Sequence, residues 1–157
     1  MQKVTPFLWF DNNLEEALSF YAGIFPGMAV HSVSRMPDMG PNEPGGMIMA
    51  TFEILGQQFK ALNGGPHFKF TEAISFFIEC EDQAEVDHYW NSLTANGGEE
   101  SQCGWVKDRF GLSWQIVPKA LGELMGDPDP GKAERVTRAM LKMQKLEIAK
   151  LYEAYIG

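Results

Sequence analysis

Gln115 interrupts an otherwise apolar run, DRFGLSWQIVP, at residues 108–118. The run reads as a tight turn followed by a strand. Leu112, Trp114 and Ile116 point one way, and Ser113, Gln115 and Val117 point the other. A polar side chain in that position implies a solvated sheet face or a cavity wall that anchors a ligand. The remaining residues able to do chemistry do not converge. His31, His67 and His88 fall in a strand, a loop and a helix, with no HxH or HxxxH spacing on which to build a metal site. Cys103 lies near Trp105 and Lys107 in a short strand; a nearby cation favours the thiolate, but no base is placed beside it. The GGP at 64–66 is a turn, and no glycine-rich turn leads from a strand into a helix to cradle phosphates. A nucleotide-like methyl donor would lack both that turn and its acidic ribose partner.

The elements that must position these residues come in two halves. KVTPFLWF (3–10) is a strand, followed by a helix in which Leu14, Ala17, Leu18, Tyr21, Ile24 and Phe25 form one apolar stripe. Asn12 or Asn13 can cap it, Glu15 and Glu16 complement its dipole, and Pro26-Gly27 stops it. A strand follows at 28–36, then a loop rich in Pro and Gly at 37–46, then a hairpin around Gly56. The second half begins again with a strand, EAISFFIEC (72–80), and a helix over 81–98. Asp82 and Glu85 make a capping box, and Val86, Tyr89, Trp90 and Leu93 make the buried face. His88 faces outward. ESQCGWVK (100–107) and LSWQIVP (112–118) are strands around the DRFG turn. A shift of 69 carries Ala17 to Val86, Tyr21 to Trp90 and strand 4–10 to strand 73–79. A shift of 55 carries Gly56 to Gly111, Phe59 to Trp114 and Lys60 to Gln115.

Composition narrows the function. The charged fraction of 22% and hydrophobic fraction of 45% are those of a globular chain. The net charge of −8 and the lack of a basic stripe exclude nucleic acid as a partner. No apolar run reaches the length of a bilayer span, Lys3 and Pro6 spoil a signal peptide, and two cysteines make no disulfide framework. The expectation is a soluble cytoplasmic protein. Residues 131–157 invert the charge, with six Lys or Arg against three Glu, and read as one amphipathic helix with Val136, Met140, Met143, Leu146, Tyr152 and Tyr155 on its apolar face. Such a stripe must dock, and a homodimer is the expected partner.

The order βαβββ–βαβββ, with PFLWFDNNLEEALSFYAGIFPG, ALNGGPHFKFTEAISFFIEC and WVKDRFGLSWQIVP, resembles the vicinal oxygen chelate superfamily (glyoxalase, bleomycin resistance and dioxygenase proteins), and within it the PhnB-like branch. The resemblance covers 1–118, and the closing helix is similar to that branch too. It implies an α+β fold of two βαβββ modules, about 3–64 and 73–118, forming a cupped mixed β-sheet around a cavity, with a C-terminal helical extension at 119–157. Enzymes of the superfamily hold a divalent metal through His, Glu or Gln on the first and last strand of each module. Carried over, those positions fall on Pro6, Lys60, Ser75 and Gln115, which is a poor set for a metal; a one-residue slip gives Thr5, Ala61 and Ile74 instead.

By strand alternation Trp9 and Trp114 face the helices. Leu8, Phe10 and Phe77 then line the cavity with Ser75, Gln115 and Lys60, a desolvated candidate base or nucleophile. The expected function is binding of a small apolar or amphipathic molecule, with no cofactor. The alternative is a divalent-metal-dependent lyase, isomerase or oxygenase of the glyoxalase or dioxygenase type, so whether the chain is an enzyme stays open.

Overall fold

The structure is a computed structural model, and it describes residues 2–41 and 45–157. The chain forms two compact units, Met1–Phe70 and Thr71–Gly157. Part of the loop expected at 37–46 lies outside the described residues.

The first unit runs β1 (Phe7–Phe10), α1 (Leu14–Ile24), β2 (Ala29–Met36), β3 (Gly46–Ile54) and β4 (Gln57–Asn63). Its sheet is ordered β1-β4-β3-β2, with β1 parallel to β4 and the other pairs antiparallel. The expected stripe of α1 is buried, Phe25 included. Asn13 occupies the N-cap position, but its side chain makes no capping bond. The first helical amide, Leu14 N, donates instead to Asn63 Oδ1 on β4 at 2.9 Å, which ties the helix start to the sheet. Leu55 and Gly56 both take positive φ at the β3–β4 turn, as a tight hairpin with right-handed strand twist requires.

The second unit repeats the plan with β5 (Phe76–Cys80), α2 (Gln83–Thr94), β6 (Glu99–Glu100), β7 (Trp105–Lys107) and β8 (Ser113–Pro118). Its sheet is ordered β5-β8-β7-β6, again with the first strand parallel to the last. Glu85 N donates to Asp82 Oδ1 at 2.9 Å, as the capping box requires. Val86, Tyr89, Trp90 and Leu93 are the buried face of α2, and His88 is exposed. The strand expected at 100–107 is broken: Cys103 and Gly104 take positive φ and turn the chain between β6 and β7.

The repeat is not uniform, and the irregularity decides which side chains face where. The helices are related by the shift of 69, but the strand pairing matches Phe7 with Lys60 and Phe77 with Gln115, a shift of 70 between β1 and β5. The extra residue sits in the β1–α1 loop, where Asn12 adopts φ 56°. One residue of slip turns every side chain of a strand to the opposite face. Leu8 and Phe10 are therefore 8% and 1% exposed on the covered face, while Phe7 is 49% exposed on the other. Trp9 shares the Phe7 face, where its Nε1 donates to the Gly65 carbonyl at 3.0 Å. The expectation for Leu8, Phe10 and Trp9 is corrected accordingly, whereas Trp114 is buried as expected.

After β8 the chain forms α3 (Lys119–Met125), α4 (Pro130–Leu141) and α5 (Ile148–Ile156). The single helix expected over 131–157 is thus two. The reason is tertiary: the carbonyls of Met143 and Gln144 accept from Cys103 N and Gly104 N, both at 2.8 Å. Gln83 on α2 completes the bracket, donating to Leu146 O at 3.1 Å and accepting from Ile148 N at 2.8 Å. These bonds hold 143–147 out of helical geometry despite its helical pattern. Most of the apolar stripe is covered within its own unit: Val136, Met143, Leu146 and Leu151 pack with Val117, Leu121 and Leu124, with Met140 and Tyr155 partly buried against them, while Tyr152 is exposed. The stripe therefore supplies no argument for a second copy. The basic residues are used locally too, with Lys145 3.2 Å from Asp87 and Arg135 donating to the carbonyls of Ala154 and Tyr155 at the end of α5.

Leu146 is fully buried at the bracket, so Leu146→Ala should lower unfolding stability by about 2–5 kcal/mol. A chemical denaturation curve measures this, and a loss below about 1 kcal/mol would mean that the extension is only loosely docked.

Candidate functional site

The two faces of the second sheet differ in what covers them. Leu112, Trp114, Ile116, Ile78 and Cys80 lie under α2. On the opposite face the pairing places Gln115 beside Phe77 and Trp105, and Val117 beside Glu79. Buried Val117 carries the C-terminal helices across that face. Between sheet and helices is a cavity of about 330 Å³. Phe77, Trp105, Gln115 and Val117 line its sheet side, and Leu121, Met125 and Met140 its helix side. Glu79 and Lys119 supply opposite charges, and Cys103 also lines it. A mostly apolar wall with one placed amide is the make-up of a small-molecule site.

The sequence that places Gln115 does so through Asp108. This carboxylate is buried, and its Oδ1 accepts from Phe110 N at 2.9 Å and Leu112 N at 3.1 Å, while Oδ2 accepts from Trp114 Nε1 at 3.0 Å. Asp108 N donates to Leu112 O at 2.8 Å, and Gly111 takes positive φ. The turn is thereby fixed, and with it the alternation of Ser113, Gln115 and Val117. Gln115 is oriented in turn by Nε2, which donates to Ser75 Oγ at 2.9 Å.

Of the six residues expected to form the site, Ser75, Phe77 and Gln115 come together here. Leu8, Phe10 and Lys60 belong to the first unit: Leu8 and Phe10 are in its core, and Lys60 is exposed opposite Phe7. Sequence reasoning missed Trp105, Val117 and the whole helix side. The available signal was KALGELM after Pro118, where Leu121, Leu124 and Met125 fall at helical spacing.

The donor set does not fit a divalent metal. Ser75 and Gln115 offer one hydroxyl and one amide, both neutral, and they are bonded to each other. The slip in β1 moves the first-unit position from Pro6 to Thr5, another neutral hydroxyl. Among the described residues no three His, Cys, Asp or Glu side chains are grouped to hold an ion. Divalent sites of this type need imidazole or carboxylate.

The two cysteines are in contrasting settings. Burial pushes the Cys80 thiol up to about 12, with the negative charges of Glu85 and Asp82 adding to it. In the unfolded chain it ionises near 9.0, so this group's stabilisation of the fold is complete below pH 9 and is lost as pH rises toward 12. Cys103 is partly exposed at the cavity wall. Iodoacetamide at pH 8 should modify Cys103 in the native protein and leave Cys80 untouched until unfolding, as peptide mass mapping would show. Equal rates at both thiols would contradict this placement.

A family profile described as 3-demethylubiquinone-9 3-methyltransferase matches residues 2–117. The PhnB protein of Bacillus cereus is 33% identical, with a TM-score of 0.67 over 74% of this chain and 99% of its own. A Pseudomonas aeruginosa protein is 19% identical, with a TM-score of 0.62 over 75% and 98%. The fosfomycin resistance protein FosX of Listeria monocytogenes, solved with Mn(II) and sulfate, is 16% identical, with a TM-score of 0.52 over 73% and 89%. The last two share the fold. No curated protein matches the chain. No helix among the described residues is long and apolar enough to cross a membrane.

Proposed function

The chain belongs to the PhnB-like family described as 3-demethylubiquinone-9 3-methyltransferase, within the vicinal oxygen chelate superfamily, and on that premise we propose that it binds a small apolar or amphipathic molecule, for sequestration, transport or sensing. The observation that carries this reading is the 330 Å³ cavity on the second sheet, walled by Phe77, Trp105, Val117, Leu121 and Met140 around the Ser75-anchored amide of Gln115. The apolar wall supplies affinity by removing ligand surface from water, and the fixed amide supplies orientation. Residues 119–157 act as the helical wall of the site. Methyl transfer, which the family description names, is not part of this proposal. No glycine-rich turn opens α2, whose first turn follows Glu81-Asp82 and would repel a phosphate.

Native mass spectrometry of untagged protein purified without chelator tests the reading. The expected result is a metal-free chain that carries, or takes up from a panel of lipophilic small molecules, a single organic ligand. Gln115→Ala should weaken that ligand about tenfold without unfolding the protein, and Met140→Trp should fill the cavity and abolish uptake. About one divalent ion per chain, lost on Gln115→Ala, would overturn the proposal in favour of a metal-dependent enzyme.

A further inference from the structure

The face that carries Gln115 continues away from the helices to a second, smaller cavity of about 110 Å³, lined by Ser113, Lys107, Trp105, Glu72 and Glu99 among others. Trp105 lines both cavities. Ser113, Gln115 and Val117 follow one another along one strand face at steps of roughly 7 Å. Ser113 is 2% exposed, and its Oγ has no hydrogen-bond partner among the described residues. A buried hydroxyl left unpaired is costly, and at a cavity wall it marks the place where a partner from outside the chain belongs.

We propose that the ligand carries a protonated amine, bound in this smaller cavity, while its apolar body extends past Gln115 into the larger one. This deepens the binding reading and rests on it. The charges around Ser113 choose the sign. Lys107 is paired with Glu72, and that pairing neutralises the one cation on the wall. Glu99 adds a further negative charge; Glu100, also at the wall, already accepts from Trp90 Nε1 at 2.9 Å. A carboxylate placed here would meet like charges. An ammonium meets Glu99, the Trp105 ring and the acceptor lone pairs of Ser113 Oγ. An amine group has the three donors this arrangement asks for, whereas an alcohol has one.

Isothermal titration with octylamine, octan-1-ol and octanoate at pH 7 tests this, because the three share an apolar body and differ in the head; alkylamines are charged at that pH, as lysine is. Octylamine should bind about tenfold tighter than either of the others. Glu99→Gln, at an exposed strand end, and Ser113→Ala should each weaken octylamine about three- to tenfold and leave octan-1-ol within about twofold. If Ser113→Ala melts early, Glu99→Gln carries the test alone. Equal binding of the three probes, or preference for octanoate, overturns the amine and leaves the cavity reading standing. Absence of binding by all three, or octylamine binding that Met140→Trp does not change, overturns both.

Discussion

Four hydrogen bonds between the backbone of 143–148 and the rest of the second unit decide how the C-terminal segment folds. The carbonyls of Met143, Gln144 and Leu146 and the amide of Ile148 are held by the 103–104 turn and by Gln83. Because they are used there, the C-terminal segment cannot run as one long helix. It folds back, and its apolar stripe closes on Val117, Leu121 and Leu124. A sheet face that would otherwise be bare becomes the floor of a cavity. Turn, bracket and stripe are mutually dependent: a side chain at Gly104 would collide with Ile116 O and crowd Leu146.

The second constraint is the buried carboxylate of Asp108. A charge removed from water is tolerable only when its hydrogen-bonding capacity is met, and Asp108 meets it with two turn amides and the Trp114 indole. This interaction locks the indole into the face under α2 and so forces Ser113 and Gln115 onto the other. The glutamine that interrupts this apolar strand has a geometric reason. Gln115 lies, with Ser113, on the side of β8 that looks into the cavity described above, and Ser75 holds it in place.

Much of the fold could be read from the chain because its signals were redundant. Both helices had complete apolar stripes, both hairpins had glycine at the positive-φ position, and the two halves corroborated each other. The site was only half legible, for two identifiable reasons. Strand faces are parity statements, so the one extra residue at Asn12 reversed Leu8, Phe10 and Trp9 while leaving Ser75, Phe77 and Gln115 correctly grouped. The helical wall depends on side-chain and backbone bonds from Gln83 and Cys103, residues 65 and 40 positions away from their partners Ile148 and Met143. No periodicity within 131–157 announces those bonds, since the segment's own pattern favours a continuous helix. Asp108 was visible only as a turn residue; its burial follows from the position of Trp114, which a sequence pattern does not give.

The central claim is that small molecules bind between the second sheet and the α3–α4 wall. Methyl NMR of methionine-labelled protein, titrated with octan-1-ol, tests it most directly, because Met125 and Met140 line that cavity while Met36, Met39 and Met49 lie in the first unit. The account predicts saturable shifts of the Met125 and Met140 methyl signals, with those of the first-unit methionines unmoved. Shifts confined to the first unit, or uniform non-saturating drift of all the methionines, would contradict it.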